Sequence, residues 1–433
     1  MPQLEDMGRD DLLALRRGAQ SRYERFKARG LSLNMTRGKP CAEQLDLAND
    51  MLTCVGPENY RAEDGTDCRN YGGLRGIPEA RRLFAEYLDV APDQLVVTGN
   101  SSLEMMHQAV ARGVTHGVPG GEPWGAQDSV RWLCPCPGYD RHFTVCERFG
   151  IEMVVLDMLE DGPDMDAVEE LAGSDERVKG IWCVPRYSNP TGVTYSADVV
   201  QRLASMPTAA PDFRLFWDNA YAVHHLTDDP QPLPGMMDAC AAAGHPDRPL
   251  IFGSTSKVTF AGAGLGMMAA SERNLEWFLH HMSARTIGPD KLNQLRHVRF
   301  LGDMEGIRRH MRRHAEILRP KFDAVTGILR EELGGKGIAE WTEPDGGYFI
   351  SVNVPDGCAR RIVQMAGEAG VRLTPAGATF PYGEDPRDRN IRIAPTFPPL
   401  EELRQATELL AVCVQLVAAE KLLGPQMNAD ERR

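Results

Sequence analysis

The sequence predicts an α/β fold: a three-layer α/β/α large domain around a mostly parallel seven-stranded sheet, with a smaller α+β domain beside it. Three observations carry this prediction. Short β-rich runs alternate with helical stretches between residues 95 and 271, the pattern of strands joined by crossover helices. Several of those runs are almost continuously apolar, as strands covered on both faces are. The chain has 433 residues, too many for one minimal domain and enough to bury a large core.

Taken in order, residues 1–45 read as an N-terminal segment that returns to the small domain, with a helix from Arg9 to Ala28. Residues 46–315 read as the large domain and 316–433 as the small one. Its strands are predicted at 95–98, 130–134, 152–156, 180–184, 215–217, 250–253 and 266–270. After Asn293 a long helical stretch continues to Leu333. It carries a basic run, Arg308, Arg309, Arg312, Arg313 and His314, which reads as a solvated face. Gly334-Gly335-Lys336-Gly337 breaks the helix, and 348–352 reads as a strand of the small domain.

Composition narrows the function. With 48 basic against 61 acidic residues the net charge is −13, and without a basic stripe a nucleic-acid surface is excluded. An anionic substrate would need locally placed arginines. The start, Met1-Pro2-Gln3-Leu4-Glu5-Asp6, lacks a charged-then-apolar signal pattern, and no run approaches the roughly 20 apolar residues that span a bilayer. A cytoplasmic protein without a membrane partner is expected. Its ten cysteines then read as free thiols, and Cys134-Pro135-Cys136 has strand character and the wrong spacing for a zinc knuckle, so no metal site is expected.

The chemistry-bearing residues share one phase. Gly99, Tyr139, Asn189, Asp218 and Lys257 each fall at or just beyond the C-terminal end of a predicted strand, where open α/β sheets bind ligands. Gly99-Asn100-Ser101-Ser102 opens a helix, and Ser101 with Glu104 has the spacing of a capping box. Free N–H groups there suit a phosphate; an ordinary capped helix is the competing reading. Asp218 ends an apolar strand, where a carboxylate is costly without a charged partner. Lys257 follows in Gly253-Ser254-Thr255-Ser256-Lys257. A lysine that forms a Schiff base with a pyridine aldehyde needs such a carboxylate to keep the ring nitrogen protonated.

The succession Asn189-Pro190-Thr191-Gly192, Asp218-Asn219-Ala220-Tyr221 and Ser254-Thr255-Ser256-Lys257 resembles the fold-type I pyridoxal-phosphate-dependent aminotransferases of class I/II. Within them it is most similar to an aspartate aminotransferase subgroup whose lysine precedes an alanine/glycine-rich stretch. The resemblance runs from about Met35 to Pro398. It implies pyridoxal 5'-phosphate tethered by Lys257, which also serves as general acid and base. It implies further that Asp218 holds the ring nitrogen, and that Tyr221 and Asn189 share the ring oxygen, although Asn-Pro is also a common turn starter. Gly99, Asn100, Ser101, Ser102, Ser254 and Ser256 would cradle the phosphate. Tyr139 would stack on the ring, with a core tyrosine as the alternative. Gly38 lies in a substrate-side loop, and Arg392 would receive the α-carboxylate as a planar fork, with Asn189 close by. Tyr71 matches a tyrosine that reaches the neighbouring subunit's phosphate, which implies a homodimer. One departure stands out: the family's phosphate-pairing arginine, eight residues after the lysine, is Leu265 here.

The resemblance implies ping-pong transfer from aspartate or glutamate to 2-oxoglutarate or oxaloacetate. A second cation must then read the side-chain carboxylate. Arg37, Arg141, Arg285 and Lys291 are the candidates, each otherwise read as a surface charge. Another aminotransferase on the same fold, acting on alanine and glyoxylate or on 2-aminoadipate, or a β-lyase, is the nearest rival. A non-catalytic cofactor-sensing domain of a transcription regulator is the more distant one. The acidic charge and the absence of a helix-turn-helix ahead of Met35 speak against it.

Overall fold

The computed structural model describes residues 3–424. Seven strands form one sheet: β1 Leu95–Thr98, β2 Arg131–Cys136, β3 Glu152–Asp157, β4 Val178–Cys183, β5 Arg214–Asp218, β6 Pro249–Ser254 and β7 Gly266–Ala270. Their order is β1-β7-β6-β5-β4-β2-β3. Strand β7 runs antiparallel to both of its neighbours, and every other pairing is parallel.

The apolar runs behave as strands covered on both sides. Every residue of β4, β5, β6 and β7 is buried. Successive side chains point to opposite faces. Leu215, Trp217 and Ile251 therefore join one core with Phe84 and Leu133, while Phe216, Leu250 and Phe252 join another with Trp132, Trp182 and Phe278. The predicted strands at 95–98 and 266–270 match, and the other five gain or shift one or two residues at their ends, where boundaries are least determined by pattern. Cys134, Pro135 and Cys136 lie in β2, as expected.

The helices that bear on the site are α1 Arg9–Ala28, α2 Ser102–His116, α3 Asp140–Phe149, α4 Lys291–Leu301, α5 Met304–Leu333 and α6 Leu400–Leu423. The single long helix predicted after Asn293 is two. Gly302 takes φ +74°, which ends α4, and the Asp303 carboxylate accepts the Gly306 N–H at 2.7 Å to start α5. The basic run is also corrected in part. Arg308, Arg309, Arg312 and Arg313 are exposed, but His314 is buried because one further residue turns the helix by about 100° towards the interior.

Strands β8 Glu340–Trp341, β9 Ile350–Asn353 and β10 Asn390–Ile393 form a small antiparallel sheet in the order β10-β9-β8. Tyr348 and Phe349, expected inside that strand, precede it. The first and last helices share one core: Leu12, Tyr23 and Phe26 of α1 cluster with Phe322, Ile350 and Leu410. Among the described residues, no helix is long and apolar enough to cross a membrane.

Candidate active site

Five segments deliver side chains to the C-terminal edge of the sheet, as the shared phase predicted. Gly99 follows β1, Tyr139 caps α3 after β2, Asn189 lies in the loop after β4, Asp218 ends β5, and Lys257 sits in the turn after β6. That turn is closed by the N–H groups of Val258 and Thr259 on the Thr255 carbonyl, at 2.9 and 3.0 Å.

Asp218 is 2% exposed. Its Oδ2 lies 3.2 Å from His142 Nε2, while Oδ1 is buried with no hydrogen-bond partner among the described residues. A buried carboxylate oxygen without a donor is costly, so this atom fits a cationic N–H brought by a ligand. His142 is stacked on Trp182 at 4.4 Å and 11°, and Tyr139 meets it edge-on at 5.0 Å. Sequence reasoning missed His142. The signal was its place three residues after Tyr139 in the first turn of a helix, which puts both on one face.

The Lys257 Nζ lies 5.1 Å from the centre of the Tyr221 ring and 5.8 Å from that of Tyr348. Burial pushes this lysine below its ordinary range, and the nearby Asp218 carboxylate offsets the shift only in part. A lysine so tuned is better able to accept and return a proton near neutrality. Tyr221 is buried as well, and burial pushes its hydroxyl well up.

Arg392 faces the cleft from β10 and is 6% exposed. Its Nη1 donates to Asp140 Oδ1 at 3.0 Å and to Asn189 Oδ1 at 3.3 Å, and the guanidinium carbon lies 4.9 Å from the centre of the Phe349 ring. Its buried Nε has no partner among the described residues, so a donor remains free in a fixed fork. Gly38 passes so close to Phe349 that a Cβ there would stand 2.5 Å from Cζ, which explains the need for glycine.

At the other end, Gly99 takes φ +68°, and a Cβ would meet Glu104 Oε2 at 2.7 Å. Ser101 Oγ accepts the Glu104 N–H at 3.3 Å, as the capping box predicts. The Glu104 carboxylate, however, accepts the Asn100 N–H at 3.1 Å rather than that of Ser101. Ser102 starts α2, so the free N–H groups of a helix N-terminus face this loop.

Comparison with known proteins places the chain. Residues 7–426 match the family model described as aspartate amino-transferase. The chain belongs to the aspartate aminotransferase family. An aspartate aminotransferase of Corynebacterium glutamicum is 47% identical over 418 residues, covering 96% of either chain. A Mycolicibacterium smegmatis relative, named only as an aminotransferase, is 53% identical over 423 residues, 97% of this chain and 99% of its own. The crystal structure of a C. glutamicum aspartate transaminase superposes with a TM-score of 0.95 at 46% identity, covering 97% of this chain and 99% of that one.

Within this aminotransferase, the structure brings Lys257, Asp218, Tyr221, Tyr139, Asn189 and Arg392 into one connected cluster. Ser254 is buried beside Lys257, and Ser256 is half-buried. Tyr71 stands apart at 77% exposed. Leu265, in the place of the expected arginine, is core: it is 2% exposed, and its N–H donates to Thr255 Oγ1 at 2.9 Å. Among the proposed second cations, Arg37 and Arg141 are exposed, and Arg285 pairs with Glu104 at 3.2 Å. Lys291 corrects the surface-charge reading. It is 2% exposed and donates to the Gly72 carbonyl at 2.8 Å, beside Tyr71.

Proposed function

We propose that this aminotransferase binds pyridoxal 5'-phosphate and transfers the amino group of aspartate or glutamate to 2-oxoglutarate or oxaloacetate by a ping-pong route, working as a homodimer. The observation that carries the reading is the buried Oδ1 of Asp218, without a hydrogen-bond partner among the described residues, in one cleft with Lys257. The α-aminoadipate aminotransferase of Thermus thermophilus holds a phosphopyridoxyl-leucine adduct on a similar fold, at TM-score 0.74 and 21% identity, which supports the fold alone. The aspartate name of the C. glutamicum relative supports the substrate choice. The ten cysteines are unpaired thiols, nine of them buried, which suits a cytoplasmic location.

When bound, the cofactor supplies a protonated pyridine ring that draws electrons from the amino acid's Cα and an aldehyde carbon that stores its amino group. The residues do the rest. Asp218 Oδ1 would accept the ring N–H, with Oδ2 kept in place by His142. Tyr221 and Asn189 would hold the ring oxygen, and Tyr139 would support the ring. Gly99, Asn100, Ser101, Ser102, Ser254 and Ser256 would receive the phosphate, joined by Tyr71 of a second copy. Arg392 orients the α-carboxylate. Lys257 Nζ would take the Cα proton and hold it for return.

Borohydride reduction of the purified yellow protein, followed by peptide mass analysis, tests the tether. The cofactor mass belongs on the peptide that carries Lys257; recovery elsewhere, or nowhere, overturns the assignment. Adding single amino acids and following the loss of visible absorbance then identifies the donor, with aspartate and glutamate expected to bleach fastest.

A further inference from the structure

Three histidines with no part in the proposed proton transfer converge on the backbone at Lys257. His224 Nε2 lies 3.2 Å from the Lys257 carbonyl oxygen, and His310 Nε2 lies 2.7 Å from that of Val258. His314 Nε2 stands 3.1 Å from His310 Nε2. All three are buried, at 4%, 6% and 1% exposure.

The direction of the bonds made by Gln44 follows from one backbone group. Gln44 is fully buried, and its Oε1 accepts the Cys41 N–H at 3.1 Å, which fixes the orientation of the amide. Its Nε2 therefore faces both His314 Nδ1 and the Tyr348 hydroxyl, each at 2.9 Å. An amide nitrogen only donates, so His314 Nδ1 is the bare nitrogen and Nε2, which faces His310, carries the hydrogen. Burial holds His314 down at about 3 and pushes His310 and His224 below their ordinary range, which agrees with neutral rings.

The unit ends where the lysine is. The Tyr348 ring is stacked with Tyr221 at 6.0 Å and 24°, and Lys257 Nζ lies between 5 and 6 Å from both rings, at 5.1 and 5.8 Å. His224 meets both rings edge-on at 5.7 Å. The N-terminal segment, α5, the lead into β9 and the Lys257 turn are thus joined by hydrogen bonds that leave no open link between Cys41 and Val258.

We propose that Gln44, His310 and His314 are positioning residues for amino transfer, which lock the Lys257–Val258 turn and Tyr348 into one unit and thereby hold Lys257 Nζ beside two aromatic rings. The proposal rests on Lys257 being the reactive amine. A displacement of that nitrogen by about 1 Å would cost on the order of 100-fold in rate, so a rigid support has a kinetic purpose.

The test compares Tyr348→Phe, Gln44→Leu and His314→Leu, with His314→Gln as the variant that retains a donor. Two readouts are taken. Competitive labelling of the cofactor-free protein with an amine reagent across pH, read by peptide mass, gives the titration of Lys257. Asp218 and His224, the charged and titratable groups that act on this lysine, are unchanged throughout and cancel in the comparison. Loss of the support lets water reach Nζ, so its titration should move up by about half a unit or more. Steady-state turnover with aspartate should show kcat lowered about 10-fold or more with KM altered less than about twofold, and His314→Gln should restore part of it. Tyr348→Phe removes only a hydroxyl and guards against a folding failure. Variants that lose thermal stability yet keep the wild-type Lys257 titration and kcat overturn the proposal. Borohydride labelling of the wild type separates the two claims: label on Lys257 with unaffected variants sinks the positioning role alone, whereas no label on Lys257 sinks both.

Discussion

Asp218 and Gly99 both follow strands on the same edge of one sheet, yet the two ends of the cleft are built differently. Asp218, His142 and Trp182 are all buried: one carboxylate oxygen is held by His142, which is stacked on Trp182, and the other has no hydrogen-bond partner among the described residues. The Gly99 loop is more open, Asn100 is exposed, a carboxylate of its own helix occupies one loop N–H, and the arginine expected nearby is a core leucine. The contrast has a physical reason. A charge buried in low dielectric interacts strongly with any partner, so its partners must be placed accurately. A phosphate at a helix start is held by several backbone donors and a dipole, which tolerate water. In the proposed reading, reaction control therefore belongs to the Asp218 end and cofactor retention to the Gly99 end.

Substitutions can break that division, starting with the largest effect. Lys257→Ala should reduce turnover at least about 1000-fold while leaving a folded protein, since it removes both the nucleophilic amine and the proton carrier. Turnover that persists in this variant without added amine would refute its role. Asp218→Ala should lower kcat about 100-fold or more and also weaken cofactor binding, because a preorganised charge at the electron-accepting ring is lost. Unchanged rates, measured with saturating cofactor, would leave Asp218 a structural strand end.

Arg392→Lys keeps the charge and loses the fork, so KM for the amino acid should rise about 10-fold with a smaller change in kcat. Tyr71→Phe probes the open end. Loss of one hydrogen bond should raise the cofactor dissociation constant about 5-fold and leave kcat at saturation almost unchanged. A larger fall in kcat than in cofactor affinity would dissolve the proposed division between the two ends.

The smallest expected effect is on stability against pH. His297 and His314 are buried and held down at about 4 and about 3, by desolvation first. A histidine depressed in the folded state contributes its stability above about pH 6.5, the unfolded value, and loses it as pH falls towards the folded value. Each should therefore cost on the order of 1 kcal/mol between pH 6.5 and 5, visible as a falling Tm. In His297→Gln that fall should be shallower; an identical slope would remove His297 from the account.

Much of this was legible in the sequence. The strands announced themselves as continuous apolar runs, and the ligand edge followed from Gly99 and four polar residues appearing in the same phase. Contacts that join distant segments were not legible. His142 and Asp218 are 76 residues apart, and Gln44 and His314 are 270 apart, so no local pattern links them. His314 was misread because four exposed arginines share its stretch, and a single step along the helix separates water from core. Lys291 was read as surface because a lysine at a helix start usually is, while here its long stem folds inward to a carbonyl.

The core shared by the first and last helices bears on how this polypeptide is made. The Tyr23 hydroxyl donates to the carbonyl of Met365, 342 positions later. At ribosomal rates of about 5–20 residues per second, that partner emerges roughly 20 to 70 s after the tyrosine does. For most of that time the apolar stripe of α1 lacks its core partners Phe322, Ile350 and Leu410, which makes the opening segment a natural client for chaperones during translation.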